Sequence, residues 1–262
     1  KRIMKKIWML FTLGAIASSP SLVKGGEVCY LPDKCETTIC CPDNPTGYIF
    51  AYGGVSLEAT NQFNRVGGTP GGETWTDEGY IYGGGAGIYS CLLGGTRFEI
   101  EGIYSELPYD RYSATGTVTF QQGAGAANTG QLFGDLTYTA VLINVLKEFD
   151  VPCTGIEFVD CVTEGSKVYF GGGFGLAFVE AEPVNPLGNA NNATVQVDDM
   201  GLAYQLIVGV EKPVFDCVDL FAQYKLIGVG ETEGTRGNNA LAAIELEDFY
   251  THNFVFGAKV NF

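Results

Sequence analysis

The chain has one histidine, His252, and imidazole is the side chain that titrates nearest neutral pH, so proton chemistry would start there. Hydrolysis of the usual kind needs such a base beside a nucleophile and an orienting acid. Alternation in 248–262 puts His252 on the same face as Phe254 and Phe256, and sequence brings no serine alongside it. That makes it a rim residue facing lipid, and no residue is assigned a catalytic role. A lipid-modifying enzyme is the activity that such a rim position would otherwise serve.

Metal and phosphate chemistry fare no better. The eight cysteines (Cys29, Cys35, Cys40, Cys41, Cys91, Cys153, Cys161 and Cys217) lack the two C-x-x-C pairs of a structural zinc site. The carboxylates Asp77, Glu78, Asp198, Asp199, Glu231 and Glu233 fall in polar connections, and their spacing matches no calcium loop. The stretches GGGAG at 83–87 and GGGFG at 171–175 have the glycine content of phosphate loops. Both lie inside alternating stretches, without the strand-to-helix junction a phosphate loop requires. The segment TGYIF at 46–50 carries no recognisable chemistry. No metal and no cofactor are expected.

The charges with a pattern are those that alternate with apolar residues. In 95–107 the even positions are Phe98, Ile100, Gly102 and Tyr104, and the odd ones Arg97, Glu99 and Glu101. In 218–231 Leu220, Ala222, Tyr224 and Leu226 alternate with Gln223 and Lys225, and in 248–262 the apolar even set alternates with Asn253 and Lys259. Gln205 takes the same inward position in 199–213. Successive side chains of a strand point to opposite faces. Such strands have one lipid-like face and one polar face. Arg97, Glu99, Glu101, Gln205, Gln223, Lys225 and Lys259 are therefore expected to share a polar interior.

The elements that would position them are long strands near 48–60, 79–91, 95–107, 134–149, 166–181, 199–213, 218–231 and 248–262. Most have 13–16 residues, against about 5–6 for an ordinary soluble strand. A tilted membrane strand needs about 9–11 residues in the hydrocarbon and continues beyond it. The expected fold is all-β: an eight-stranded antiparallel up-and-down transmembrane β-barrel over 48–262. Parity at 134–149 is ambiguous, because both faces are mixed and Asn144 interrupts the even apolar set. At 166–181 Phe170, Phe174, Leu176 and Phe178 face outward. The inward glycines 171, 173 and 175, with 83, 85 and 87, are expected to make room for long charged side chains.

Connections alternate between long and polar (61–78, 108–133, 182–198, 232–247) and shorter (92–94, 150–165, 214–217). The long ones read as outer loops and the shorter ones as periplasmic turns. Both ends of an even-stranded barrel fall on the same side, here the periplasm. Export is consistent with the start of the chain. Lys1, Arg2, Lys5 and Lys6 precede an apolar stretch from Ile7 to Ala17 that ends in Ala15-Ile16-Ala17. This reads as a signal peptide over 1–17, with further small-residue cleavage sites up to about residue 26. Its loss would move the formal charge from −15 to −19, a poor balance for binding nucleic acid.

Residues 18–47 form a cysteine-rich, aperiodic periplasmic segment. Cys91, Cys153, Cys161 and Cys217 all fall at shorter connections, on the oxidising side where disulfides form. A local Cys153–Cys161 loop, a tie from the N-terminal segment to Cys91 or Cys217, and purely local bridges all remain open. An interior of this width is about filled by its own side chains. It would be an ion-paired plug or, alternatively, a gated polar path.

The order and spacing of RFEIEGIYSEL at 97–107, YFGGGFGLAFV at 169–179, AYQLIVGVEKPV at 203–214, VDLFAQYKL at 218–226 and THNFVFGAKVNF at 251–262 resemble the small outer-membrane β-barrel proteins of the opacity-protein and OmpA-like group. The resemblance covers roughly 48–262. It implies a place in the bacterial outer membrane, contact with its lipid and lipopolysaccharide, and outer loops available to an extracellular ligand. It also implies that the terminal strand, with Phe254, Phe256, Ala258, Val260 and Phe262, is read by the barrel-assembly machinery. The cysteine-rich segment and cysteine-bearing turns depart from that family's pattern. The role implied is structural and surface-interacting, with a narrow porin or small-molecule transport barrel as the alternative.

Overall fold

The computed structural model describes residues 47–65, 69–90, 94–114, 129–131, 133–151, 165–181, 195–215, 217–236 and 243–262. The expected signal peptide, nearly all of the cysteine-rich segment and every cysteine except Cys217 lie outside the described residues. Cys217 is exposed at a turn.

The strands are β1 (Gly47–Ser56), β2 (Thr60–Arg65), β3 (Thr69–Thr76), β4 (Gly79–Ser90), β5 (Thr96–Ala114), β6 (Thr129–Gln131), β7 (Asp135–Asp150), β8 (Lys167–Ala181), β9 (Val195–Phe215), β10 (Val218–Val229), β11 (Thr232–Arg236), β12 (Ala243–Leu246) and β13 (Phe249–Asn261). Eight of them close a ring in the order β1-β4-β5-β7-β8-β9-β10-β13 and back to β1. Every pairing in the ring is antiparallel. Ring neighbours are consecutive passes of the chain, so the topology is up-and-down. Closure leaves no open edge within the ring. The short connection from β4 to β5 ends in Gly94 and Gly95, both at positive φ (61° and 77°), where any side chain would be strained.

Outward side chains make an apolar belt. Val141, Ile143, Val145, Phe170, Phe174, Leu176, Phe178, Met200, Leu202, Leu206, Val208 and Val210 are exposed on adjacent strands. From Met200 to Val210 is ten strand steps, or about 26 Å of height at a rise of ~3.4 Å and a tilt near 40°, close to the ~25 Å apolar band of membrane barrels. Tyrosines gather at the belt edge remote from the termini: Tyr82 stacks on Tyr104 with centroids 4.9 Å apart, and Tyr204 donates to or accepts from Tyr250 at 2.7 Å. Phe149, Phe170, Phe215 and Phe262 mark the other edge.

Two expectations are corrected. The stretches 61–78, 108–133 and 232–247, with the end of 182–198, are not simply loops where described. After a short break β1 runs on into β2 and β10 into β11, while β12 leads into β13 and β3 into β4. These short strands pair with one another, with the far end of β5 and with the start of β9. The wall therefore continues above the belt, where the outward apolar set ends and alternation disappears from the sequence. The second correction concerns the inward glycines. The register sets Tyr48 against Gly87, Phe50 against Gly85 and Tyr52 against Gly83. A Cβ at Gly87 would lie 2.3 Å from the Tyr48 ring, and one at Gly83 would lie 2.5 Å from the Tyr52 hydroxyl. The glycines of β4 accommodate neighbouring aromatic rings, not charged chains, and Gly173 accommodates Asn144.

The ambiguous strand at 134–149 is settled as well. Val141, Ile143 and Val145 face out, while Tyr138, Ala140, Leu142, Asn144 and Leu146 face in.

Candidate functional site

The lumen is layered. Nearest the termini, Arg97 donates to Glu148 at 2.6 Å and to Glu211 at 2.7 Å, and its Nε lies 3.3 Å from Glu99. Its guanidinium also sits 4.1 Å from the centre of the Tyr169 ring, a cation–π distance. Lys259 binds the other oxygen of Glu211 at 2.8 Å, lies 3.1 Å from Asp219, and donates to the Tyr89 hydroxyl. Tyr48 donates to Glu99 at 2.7 Å, and Lys167 meets Glu148 at 3.1 Å.

One layer further in, Glu101 is the hub. Lys225 pairs with its Oε1, to which the Tyr52 hydroxyl also donates at 2.5 Å. Its Oε2 accepts from Asn144 at 2.7 Å and from Gln205 at 2.6 Å. Gln205 also donates to Asn144, and Gln223 to the Tyr169 hydroxyl at 2.8 Å. Glu101 and Lys225 are each 1% exposed, so their charges have only each other and these dipoles for compensation. An isolated ion so placed would be costly, and the pairing offsets that cost.

Away from the termini the interior turns apolar. Ile81, Ile103, Leu107, Leu136, Val179, Val197, Val229, Leu246 and Phe249 are buried together. A few polar groups sit among them. Tyr138 and Thr251 share a hydrogen bond of 2.9 Å. Among the described residues, both amide atoms of Asn61, and the hydroxyls of Ser56, Tyr109 and Thr232, are buried without a partner. Burial pushes the Tyr109 phenol well above its ordinary range.

Alternation placed Arg97, Glu99, Glu101, Gln205, Gln223, Lys225 and Lys259 on the inner face, and the structure brings all seven into the two charged layers. Sequence reading did not include Tyr48, Tyr52, Tyr89, Asn144, Glu148, Tyr169 or Glu211. Glu211 was within reach, since it shares the parity of Gln205 on β9. Tyr48 and Tyr52 had a subtler sign, the glycine run of the strand beside them. On the last strand Phe254, Phe256, Ala258 and Val260 all point outward, alternating with Val255, Gly257 and Lys259. His252 points outward too, with Nδ1 2.6 Å from the Tyr224 hydroxyl, within the tyrosine edge of the belt. Of the acidic residues in the connections, Asp199 accepts from the backbone N–H of Glu233 at 2.8 Å. Among the described residues no group of three His, Cys, Asp or Glu side chains is placed to hold a metal ion.

No family model matches the chain, and no curated protein matches it. Among solved structures it is similar to Neisserial surface protein A, at 14% identity and a TM-score of 0.44, over 84% of this chain and 100% of that one. It is similar to the outer membrane protein OprG from Pseudomonas aeruginosa, at 13% identity and a TM-score of 0.49, over 82% and 96%. The outer membrane protease OmpT from Escherichia coli is 14% identical with a TM-score of 0.40, over 85% and 98%.

Proposed function

We propose that this chain is an outer-membrane barrel with a closed lumen, which anchors an extracellular extension that makes surface contacts. The termini and short turns face the periplasm in this reading, and the tyrosine edge faces outward. The observation that carries it is the pairing of Glu101 with Lys225 across the lumen, capped on the periplasmic side by Arg97, Glu211 and Lys259. Ions would have to break this network to pass.

The outward belt supports the membrane assignment, because soluble proteins rarely expose contiguous apolar patches beyond several hundred Å². The β2–β3 and β11–β12 hairpins and the far end of β5 provide the presenting surface. Arg111 stands there, exposed, 5.3 Å from the Trp75 ring centre and 3.7 Å from Glu58. The outward alternation of Phe254, Phe256, Ala258 and Val260 would supply the pattern read by assembly machinery.

The test is conductance across a planar lipid bilayer with refolded, oxidised protein. A folded barrel without steady openings is expected. Steady, reproducible openings in the wild type would replace this reading with a narrow pore.

A further inference from the structure

The tyrosine edge of the belt has two sectors of opposite chemistry. On β4 and β5 it is built around a carboxylate: the Tyr80 and Tyr104 hydroxyls donate to Oε2 of Glu106 at 2.5 and 3.0 Å. On β9, β10 and β13 it is built around an imidazole. Tyr224 meets Nδ1 of His252 at 2.6 Å, and Tyr204 and Tyr250 share a hydrogen bond of 2.7 Å. Gly228 stands between Tyr204 and Tyr250 in register, and a Cβ there would lie 2.5 Å from the Tyr204 ring. Tyr204 crosses β10 to reach Tyr250 because residue 228 has no side chain. Tyr204, Tyr250 and His252 are exposed on the outer face. His252 is ten strand steps from Phe262. That is about 26 Å of height at a rise of ~3.4 Å and a tilt near 40°, which sets it at the opposite edge of the apolar band.

The hydrogen bonds of the second sector leave donors to spare. Two hydroxyls joined by one bond use one of their two protons, so the Tyr204–Tyr250 pair keeps the other. With the Tyr224 hydroxyl donating to Nδ1, the ring proton of His252 is on Nε2, which points away from Tyr224, and the doubly protonated ring donates from Nε2 as well. Tyr250 and His252 are two positions apart on one face, about 7 Å along the strand, a gap that one tetrahedral oxyanion accepting from both can bridge. The membrane reading above, on which this inference rests, turns this edge outward, where the lipid is lipopolysaccharide and its headgroup carries phosphates. We infer that His252 and the Tyr204–Tyr250 pair bind a phosphate of the lipopolysaccharide headgroup. Hydrogen bonds to such an anion are about twice as strong as those between neutral groups. The described lysines are elsewhere: Lys147, Lys167 and Lys212 stand toward the strand ends nearest the termini, and Lys225 and Lys259 fill the lumen. Arg111, above the belt, is held against Trp75 and Glu58. Among the described residues His252 is thus the basic group that the belt edge offers to a headgroup. The Glu106 sector does not suit the same ligand, because its phenol protons are committed to a carboxylate whose charge repels phosphate.

The test is native mass spectrometry of the full barrel, loaded with bisphosphorylated lipid A, with the same lipid A after enzymatic removal of its phosphates, or with phosphatidylglycerol. The wild type should retain the bisphosphorylated form several-fold over the other two. His252→Phe combined with Tyr204→Phe and Tyr250→Phe should bring the ratio of the two lipid A forms to near one, and Tyr80→Phe with Tyr104→Phe should leave it unchanged. Equal retention of both forms by the wild type would overturn the site, as would an unchanged ratio in the triple variant. An equal fall in the Tyr80 and Tyr104 variant would overturn it in favour of the tyrosine edge at large. Phosphatidylglycerol held as well as lipid A would overturn it in favour of any lipid phosphate. Insertion of each variant into vesicles, followed by its heat-dependent gel shift, reports separately on the membrane reading: an inserted wild type without the preference fails the site alone, and a wild type that does not insert fails the membrane reading.

Discussion

The two halves of the interior solve burial in opposite ways. Toward the termini, Arg97, Lys225 and Lys259 are each 1–2% exposed, and each meets at least one glutamate. Toward the extension the filling is Leu107, Leu136, Val179, Leu246 and Phe249, and the whole Asn61 amide has no partner among the described residues. Removing one member of a satisfied charge network strands the others, whereas removing an unpartnered polar group strands nothing. Similar burial therefore predicts opposite responses to mutation.

The largest effect is expected at Arg97. Arg97→Leu leaves Glu99, Glu148 and Glu211 facing one another with only Lys259 and Lys167 to balance them. It should cost at least the ~3–5 kcal/mol typical of a broken buried pair, read as loss of the heat-resistant folded band and a lower urea midpoint. Glu101→Ala, which orphans Lys225, should cost about 3–5 kcal/mol by the same measurement, and Glu101→Met combined with Lys225→Met should recover most of it. A double variant no better than the single one would show that these charges act separately. Gly87→Ala forces a Cβ against the Tyr48 ring and should cost about 1–3 kcal/mol in urea unfolding. The smallest effect is expected in the apolar half. Asn61→Leu should be neutral or stabilise by about 1 kcal/mol, and a clear loss there would erase the contrast between the halves.

What could be read from the sequence follows the same division. At 97–107 and 251–262 one face is the apolar outer belt and the other meets charge, so alternation is sharp and the inward set reads directly. At 134–149 the inner face puts Leu142 level with Glu101 and Leu146 level with Arg97, apolar residues within the charged layers, so they look no different from Val141 and Val145. Both parities are apolar, and only Asn144, inward and bonded to Glu101, distinguishes them. Above the belt, β2, β3, β11 and β12 carry polar residues on both faces, which made them resemble loops. The aromatic half of the charged layers was hidden for a different reason. Tyrosine is expected at lipid edges, and only the register against Gly83, Gly85 and Gly87 turns Tyr48 and Tyr52 inward.

The ring closes where β1 meets β13, with the backbone N–H of Phe262 bonded to the carbonyl of Gly47. The partners inside are correspondingly far apart in the chain: Arg97 and Glu211 by 114 positions, Lys225 and Tyr52 by 173. Local folding cannot satisfy these charges in advance. Until the final strand docks, they must stay hydrated, and closure has to expel that water as it brings cation to carboxylate. The last step of assembly and the drying of the lumen are thus one event, and a chain halted just short of it would carry a wet, open seam.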